Sequence, residues 1–295
     1  MALLGAHVSA AGGVAKAFER GATIGCDALQ LFVKNANAWR AKPLDPAAAE
    51  AFAAVRAVTA GHSVPPPLPV IAHASYLINL ASPLAETAER SRDALVDELQ
   101  RCDALGLDGL VVHPGAHVGT GEDAGLDAIA RALDEVFERH PKGPTRLLLE
   151  NTAGQGTVLG ADLAHHRRLL RSVAAPERLG VCLDTCHAFA AGADLRSADG
   201  YEAFVEAADQ AVGLARVLAW HLNDSRHGLG SRKDRHANIG HGELGAEAFE
   251  RLIHDARFEH APMILETPLG DDDLGHARDL VTLRSGGAAR GVEHA

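Results

Sequence analysis

No stretch of this sequence approaches the roughly 18–20 uninterrupted apolar residues of a membrane span, so a membrane partner is not expected. The N-terminus, MALLGAHVSAAGG, lacks the basic opening of a signal peptide and reaches a His and a Ser within nine residues. It reads as a first strand, and the expected setting is the cytoplasm. Cysteine is scarce: Cys26, Cys102, Cys182 and Cys186 form no CxxC pair, which fits free thiols in a reducing compartment. Positive charge is also short, with 28 Lys and Arg against 39 Asp and Glu and a net charge of −11. That balance argues at first against a nucleic-acid partner. The argument weakens if carboxylates are committed to metal, since a bound ion is often the largest charge in its site. Internal repeats and long linkers are absent as well.

What the chain does have is histidine, seventeen of them against two Trp and two Tyr. Many stand beside carboxylates in short motifs. It also has a recurring unit, a short apolar run followed by a longer helical pattern. The runs cover residues 3–9, 28–34, 69–75, 109–115, 146–151, 179–185, 217–224 and 261–267. Each is continuously apolar, as parallel strands buried on both faces require. Residues 84–105, 122–140, 161–173 and 244–256 read as helices, the first stopped by Gly106 and the second by Pro141. Eight strands alternating with eight helices predict a single-domain (β/α)8 TIM barrel over residues 1–285, with an open doubly wound sheet as the alternative. Residues 286–295 read as a loose tail.

The ends of these runs carry the chemistry. The third ends in His73, the fourth in His113, the fifth in Glu150, the sixth in Asp184, the seventh in His221 and the eighth in Glu266. In a barrel all these ends meet on one rim, where active sites lie. A lone His at a strand end is more often structural; six metal-binding residues at eight ends are hard to ascribe to chance. His187 follows Asp184 by three residues, and Asp234 and His236 sit two apart in the loop after the seventh run. Extended i, i+2 side chains point the same way, so that pair can share an ion. Nine candidates exceed the needs of one metal, since zinc takes about four ligands. Imidazole and carboxylate without thiolate suit Zn²⁺, with Mn²⁺ or Fe²⁺ compatible. Cys186 lies between two candidates but is not counted as a ligand. Neighbouring ions bridged by a carboxylate activate water for in-line phosphoryl displacement, so a metal-dependent phosphoesterase is the expected class.

The motifs HASYLINL (73–80), VVHPGAH (111–117), LLENTAGQG (148–156), VCLDTCHAFAAGADL (181–195), HLNDS (221–225), GSRKDRHANIGHG (230–242) and ILET (264–267) resemble the endonuclease IV family of abasic-site DNA repair enzymes. The resemblance starts at GAHVSAAGG (5–13) and covers nearly the whole chain. It implies a (β/α)8 barrel with three Zn²⁺ per chain, Mn²⁺ being compatible at some positions. By that resemblance His73, His113 and Glu150 hold one ion. Glu150 bridges to a second, completed by Asp184, His221 and Glu266, and His187, Asp234 and His236 hold the third. Glu150 and Glu266 are the implied catalytic carboxylates, Glu266 also orienting the nucleophile. The implied partner is double-stranded DNA with abasic sites or blocked 3′ ends. It is cut 5′ to the lesion to leave a 3′-hydroxyl and a 5′-deoxyribose phosphate. A monomer is expected.

Reaching such a phosphate requires extruding the nucleotide from the duplex. Tyr76 and Leu77 resemble the family pair that enters the gap in the base stack. The segment KNANAWRAKPL (34–44) resembles the family's DNA-penetrating loop. It keeps Lys34, Trp39, Arg40 and Lys42 but carries Asn37 where many members have a long basic side chain. Arg226, Arg232, Lys233 and Arg235 are expected to meet phosphates, with His7 supporting the ligands from behind. His62, His165, His166, His254 and His260 read as structural or exposed. The competing reading is a metal-dependent sugar isomerase or epimerase on a related barrel, which needs fewer metals and a closed small pocket.

Overall fold

A computed structural model describes residues 2–286. The segment 286–295, expected as a tail, falls outside the described residues apart from Gly286. Eight parallel strands close into a barrel: β1 (Leu3–His7), β2 (Ala28–Leu31), β3 (Val70–His73), β4 (Gly109–Val112), β5 (Arg146–Glu150), β6 (Leu179–Asp184), β7 (Val217–His221) and β10 (Pro262–Leu265). Around the ring each strand pairs with its sequence neighbours, and β1 closes on β10. The short ribbon β8 (Asp224–Ser225) and β9 (His236–Ala237) is antiparallel and stands on the rim.

The strands form because apolar side chains on both faces have somewhere to go. Inward-facing Ala28, Ile71, Val111, Leu148, Cys182, Ala219 and Ile264 fill the barrel interior as one cluster. Outward-facing residues such as Leu29, Leu110, Leu149 and Leu183 pack under the helical coat. Every strand is shorter than its apolar run. The run overshoots into the loop that leaves the C-terminal rim, because residues just past the strands are buried under neighbouring loops.

The helices are α1 (Lys16–Ile24), α2 (Pro46–Val58), α3 (Ala85–Leu105), α4 (Glu122–Arg139), α5 (Leu163–Ser172), α6 (Thr185–Ala191), α7 (Ala198–Val212), α8 (Ala246–Ile253) and α9 (Gly275–Arg284). The helices expected at 84–105, 122–140, 161–173 and 244–256 are present but trimmed by a residue or a few at their ends. Gly106 ends α3 in the left-handed conformation at φ 64°, which an L side chain resists. The one-helix-per-crossover expectation fails between β6 and β7, where α6 and α7 both intervene. The cause is local: the Asp184 carboxylate caps a helix directly at the strand end, before the chain has cleared the rim.

Candidate metal centre

The barrel register delivers four of the candidates by itself. His73 ends β3, Glu150 ends β5, Asp184 ends β6 and His221 ends β7; His113 and Glu266 stand one residue past β4 and β10. His187 arrives through helix capping: Asp184 Oδ1 accepts from the His187 amide at 2.7 Å, which sets the imidazole in the first turn of α6 over its own cap. Asp234 and His236 are brought over the mouth by the β8–β9 ribbon, with His236 opposite Ser225. Asp224 folds that excursion, its carboxylate accepting from the amides of Ser225, Gly240, Gly242 and Leu244 at 2.8–3.0 Å.

The nine donors fall into three groups, and within each the ligand atoms lie within 4.8 Å of one another: His73, His113 and Glu150; Glu150, Asp184, His221 and Glu266; and His187, Asp234 and His236. Glu150 belongs to two of them. It is fully buried, with one carboxylate oxygen 3.2 Å from His73 Nε2 and 3.1 Å from His113 Nε2, and the other 2.8 Å from His221 Nδ1.

The test of fit lies in the ring nitrogens that face away from the centre. His73 Nδ1, His187 Nδ1 and His236 Nδ1 reach the carbonyl oxygens of Ala74, Asn151 and Glu266 at 2.7, 2.9 and 3.2 Å. A carbonyl only accepts, so those nitrogens carry the protons. In a neutral ring the opposite nitrogen then presents a lone pair inward, toward carboxylates that are themselves acceptors. His236 Nε2 is buried with no hydrogen-bond partner among the described residues, although Asp234 Oδ1 lies 3.3 Å away out of line. Lone pairs facing lone pairs are repulsive unless a cation sits between them. The electrostatics carry the same sign. Burial alone would push Glu150 up, but His221 and His113 hold it well below the usual carboxylate range. Burial opposes charge on His236, yet Asp234 and Asp184 raise it to about 9. The residues fit divalent cations.

Cys186 also lies within ligand range of Asp184 and His236. Its Sγ faces the Arg235 carbonyl at 3.8 Å, and burial pushes the thiol up to about 12, which disfavours the thiolate a metal needs.

The rim residues are placed less uniformly. Tyr76 is 61% exposed and its ring stands edge-on to Phe32 at 5.4 Å and beside His73 at 5.5 Å. Leu77 is half-buried beside it. Asn37, Arg40, Arg226, Arg232, Lys233 and Arg235 are exposed. Trp39 packs partly against the core. Lys34, at the base of the same loop, turns inward. Its side chain is only 2% exposed, paired with Asp97 at 3.1 Å and Glu98 at 3.3 Å. His166 and His165 on α5 are buried, whereas His62, His254 and His260 are exposed.

Three side chains escaped sequence reasoning. Asn151 clasps Asp184, donating to its carbonyl at 3.2 Å and accepting from its amide at 2.6 Å. Asn223 donates to Asp184 Oδ2 at 2.6 Å and accepts from the Glu266 amide at 2.9 Å. Gln30 touches His7, His221 and Glu266 from β2. The two asparagines stand one and two residues past a strand-end ligand, a spacing that could have marked them. A Gln inside an apolar run offered no comparable sign beyond being polar where burial was expected.

Against known proteins, residues 18–285 match the xylose isomerase-like TIM barrel family. A protein of Chloroflexus aggregans described as a probable endonuclease 4 is 50% identical over 285 residues, covering 97% of this chain and 98% of its own. The crystal structure of endonuclease IV from Thermus thermophilus superposes with a TM-score of 0.84 at 38% identity, over 96% of this chain and 98% of that one. A D-tagatose 3-epimerase-like protein shares the fold at a TM-score of 0.67 and 18% identity, over 96% of each chain. That likeness concerns the fold alone.

Proposed function

The chain belongs to the endonuclease IV family, and from that premise we propose that it hydrolyses the phosphodiester 5′ to abasic sites in double-stranded DNA and trims blocked 3′ ends. The products are a 3′-hydroxyl and a 5′-deoxyribose phosphate, and the proposed setting is the cytoplasm, with the chain acting as a monomer. The observation that carries the reading is the third donor group, in which the β8–β9 ribbon brings Asp234 and His236 to His187 on α6. A sugar epimerase of this fold needs no such group and closes a small pocket instead.

In this reading His73, His113 and Glu150 hold one Zn²⁺, Glu150 is shared with a second held by Asp184, His221 and Glu266, and the remaining three residues hold a third. When bound, such ions supply a water of lowered pKa and neutralise phosphate charge in an in-line displacement. Mn²⁺ is compatible with the same donors at some positions. Glu266 is the strand-end carboxylate of the middle group that retains solvent access, 14% against none for Glu150 and Asp184. It is therefore the one suited to orient an attacking water. Tyr76 and Leu77 project beside His73 and His113, where an apolar wedge can occupy the space left by a missing base. Arg226, Arg232, Lys233 and Arg235, exposed in the loop that carries Asp234 and His236, supply phosphate contacts that hold the duplex in register. In this reading Asn37, Trp39 and Arg40 meet the duplex from the loop after β2, Trp39 also packing partly against the core.

The test is incubation with a duplex containing one synthetic abasic site, with and without chelator, alongside metal analysis. Incision 5′ to the site that chelator abolishes is expected, with three ions per chain. A chain that leaves the duplex intact in excess zinc yet epimerises a ketose would overturn the assignment.

A further inference from the structure

Two of the eight barrel strands, β1 and β2, end without a proposed ligand. Their inward-facing polar residues, His7 and Gln30, are register partners. Gln30 is fully buried, where an amide survives only if its hydrogen bonds are satisfied. They are. Its Nε2 donates to Glu266 Oε1 at 2.6 Å and to His7 Nδ1 at 3.0 Å, and its Oε1 lies 2.9 Å from His221 Nε2.

The orientation of this amide is forced. A carboxylate only accepts, so the nitrogen must face Glu266 and the oxygen must face His221. That oxygen only accepts in turn, so the His221 proton sits on Nε2. Nδ1 is left to point at Glu150 and Glu266 Oε2, 2.8 and 3.3 Å away. At His73, His187 and His236 a backbone carbonyl performs this selection. For His221 a single side chain does it, and the same side chain ties down one oxygen of Glu266.

We propose that Gln30 is a positioning residue of the metal centre: its amide sets the tautomer of His221 and fixes the orientation of the Glu266 carboxylate by holding its Oε1. The inference rests on the metal reading above and adds to it the reason why Glu266 keeps one fixed orientation. A Glu at this position would still accept from His221 but could not donate to Glu266. A Met would keep the volume and do neither.

Full-length Gln30→Met and Gln30→Glu are compared with the unchanged chain by zinc retained against graded chelator and by ¹⁵N–¹H correlation of the imidazoles in metal-free and zinc-loaded protein. Supporting partners of metal ligands typically contribute about 10–100-fold to affinity. Gln30→Met should release one of three ions at about 10–100-fold lower chelator, with His221 populating both tautomers. Gln30→Glu should keep the Nε2–H tautomer and still release that ion early. Thermal melting of the metal-free forms monitors folding; a merely structural role would lower it without moving the tautomer. If Gln30→Met keeps all its zinc at the same chelator concentration with His221 still protonated on Nε2, the positioning role is wrong. If the unchanged chain itself binds no zinc, the metal reading falls, and this role with it.

Discussion

The floor of the cleft and its rim are built by different rules. On the floor, Glu150, Asp184 and His221 are fully buried strand termini, and a backbone carbonyl or an amide side chain dictates the direction of the His73 and His221 rings. On the rim, Tyr76, Asn37, Arg232 and Arg235 are exposed and their loops are held from behind. Lys34 and Glu98 form the rim's main anchor. Glu98 accepts from the Ser75 amide at 3.1 Å, while Lys34 donates to the Trp39 carbonyl at 3.2 Å. Ser75 Oγ then reaches the Ala36 carbonyl at 2.5 Å, so two of the three loops proposed to meet DNA, those of Asn37 and of Tyr76, hang on one buried pair at α3. Chemistry is placed by the barrel; grip is placed by a few side chains reaching across it.

That contrast is broken most severely on the floor. Glu266→Gln keeps the volume and removes the charge, and turnover on abasic duplex is expected to fall about 10²–10⁴-fold while the melting temperature barely moves. Near-normal turnover would remove Glu266 from the chemistry. Stripping the metal acts on the same region through stability, because an ion that binds only the folded chain adds about 4 kcal/mol at a thousandfold excess over its Kd. Chelated protein should therefore melt well below the zinc-loaded form, and coincident melting curves would contradict a resident cluster.

The rim responds in a different quantity. Glu98→Gln leaves Lys34 with Asp97, a partner 38% exposed, and breaking a buried pair costs about 3–5 kcal/mol when no partner remains. With Asp97 still in place a smaller loss of stability is expected, together with weaker binding of abasic duplex. The ions retained per chain should not change. Loss of zinc in this variant would show that floor and rim are not separable. Arg235→Gln and Lys233→Gln should each lower the slope of log K against log salt by about 1 if they meet phosphates. An unchanged slope would make them merely solvated.

The same division explains what could be read from the sequence. Parallel strands buried on both faces write themselves as continuous apolar runs, and a barrel sends every run's end to one rim. The strand-end residues His73, Glu150, Asp184 and His221 are thus visible without a structure. His187 needs only the knowledge that Asp184 can cap a helix. The cross-barrel contacts are not visible: Gln30 meets Glu266 across 236 residues of sequence, and nothing local records that meeting. The anchor at Lys34 is hidden for the same reason. Its partner Glu98 lies far along the chain on α3, and nothing local shows that this lysine turns inward. The second helix between β6 and β7 is hidden because capping at a strand end competes with the one-helix rhythm of the other crossovers.

The smallest expected effect is also the most specific to this chain. Asn37 is exposed, and its hydrogen bond among the described residues is that of the local turn, in which the Asn37 N–H donates to Asn35 Oδ1 at 2.9 Å. Its side chain is therefore open to change without disturbing the fold. The loop is already anchored by Lys34 and by Arg101, whose guanidinium donates to the Lys42 carbonyl at 2.6 Å. A longer cationic side chain at position 37 would be carried on a fixed base, and only its reach and charge would be new. Asn37→Arg should tighten binding of abasic duplex by the worth of one phosphate or stacking contact, about 1–3 kcal/mol at most, and steepen the salt dependence by about 1. Tyr76→Ala should then cost less in the Asn37→Arg background than alone, because two wedges would share the work one now does. Equal costs in both backgrounds would mean that residue 37 does not enter the duplex, and that Tyr76 and Leu77 carry the wedge by themselves.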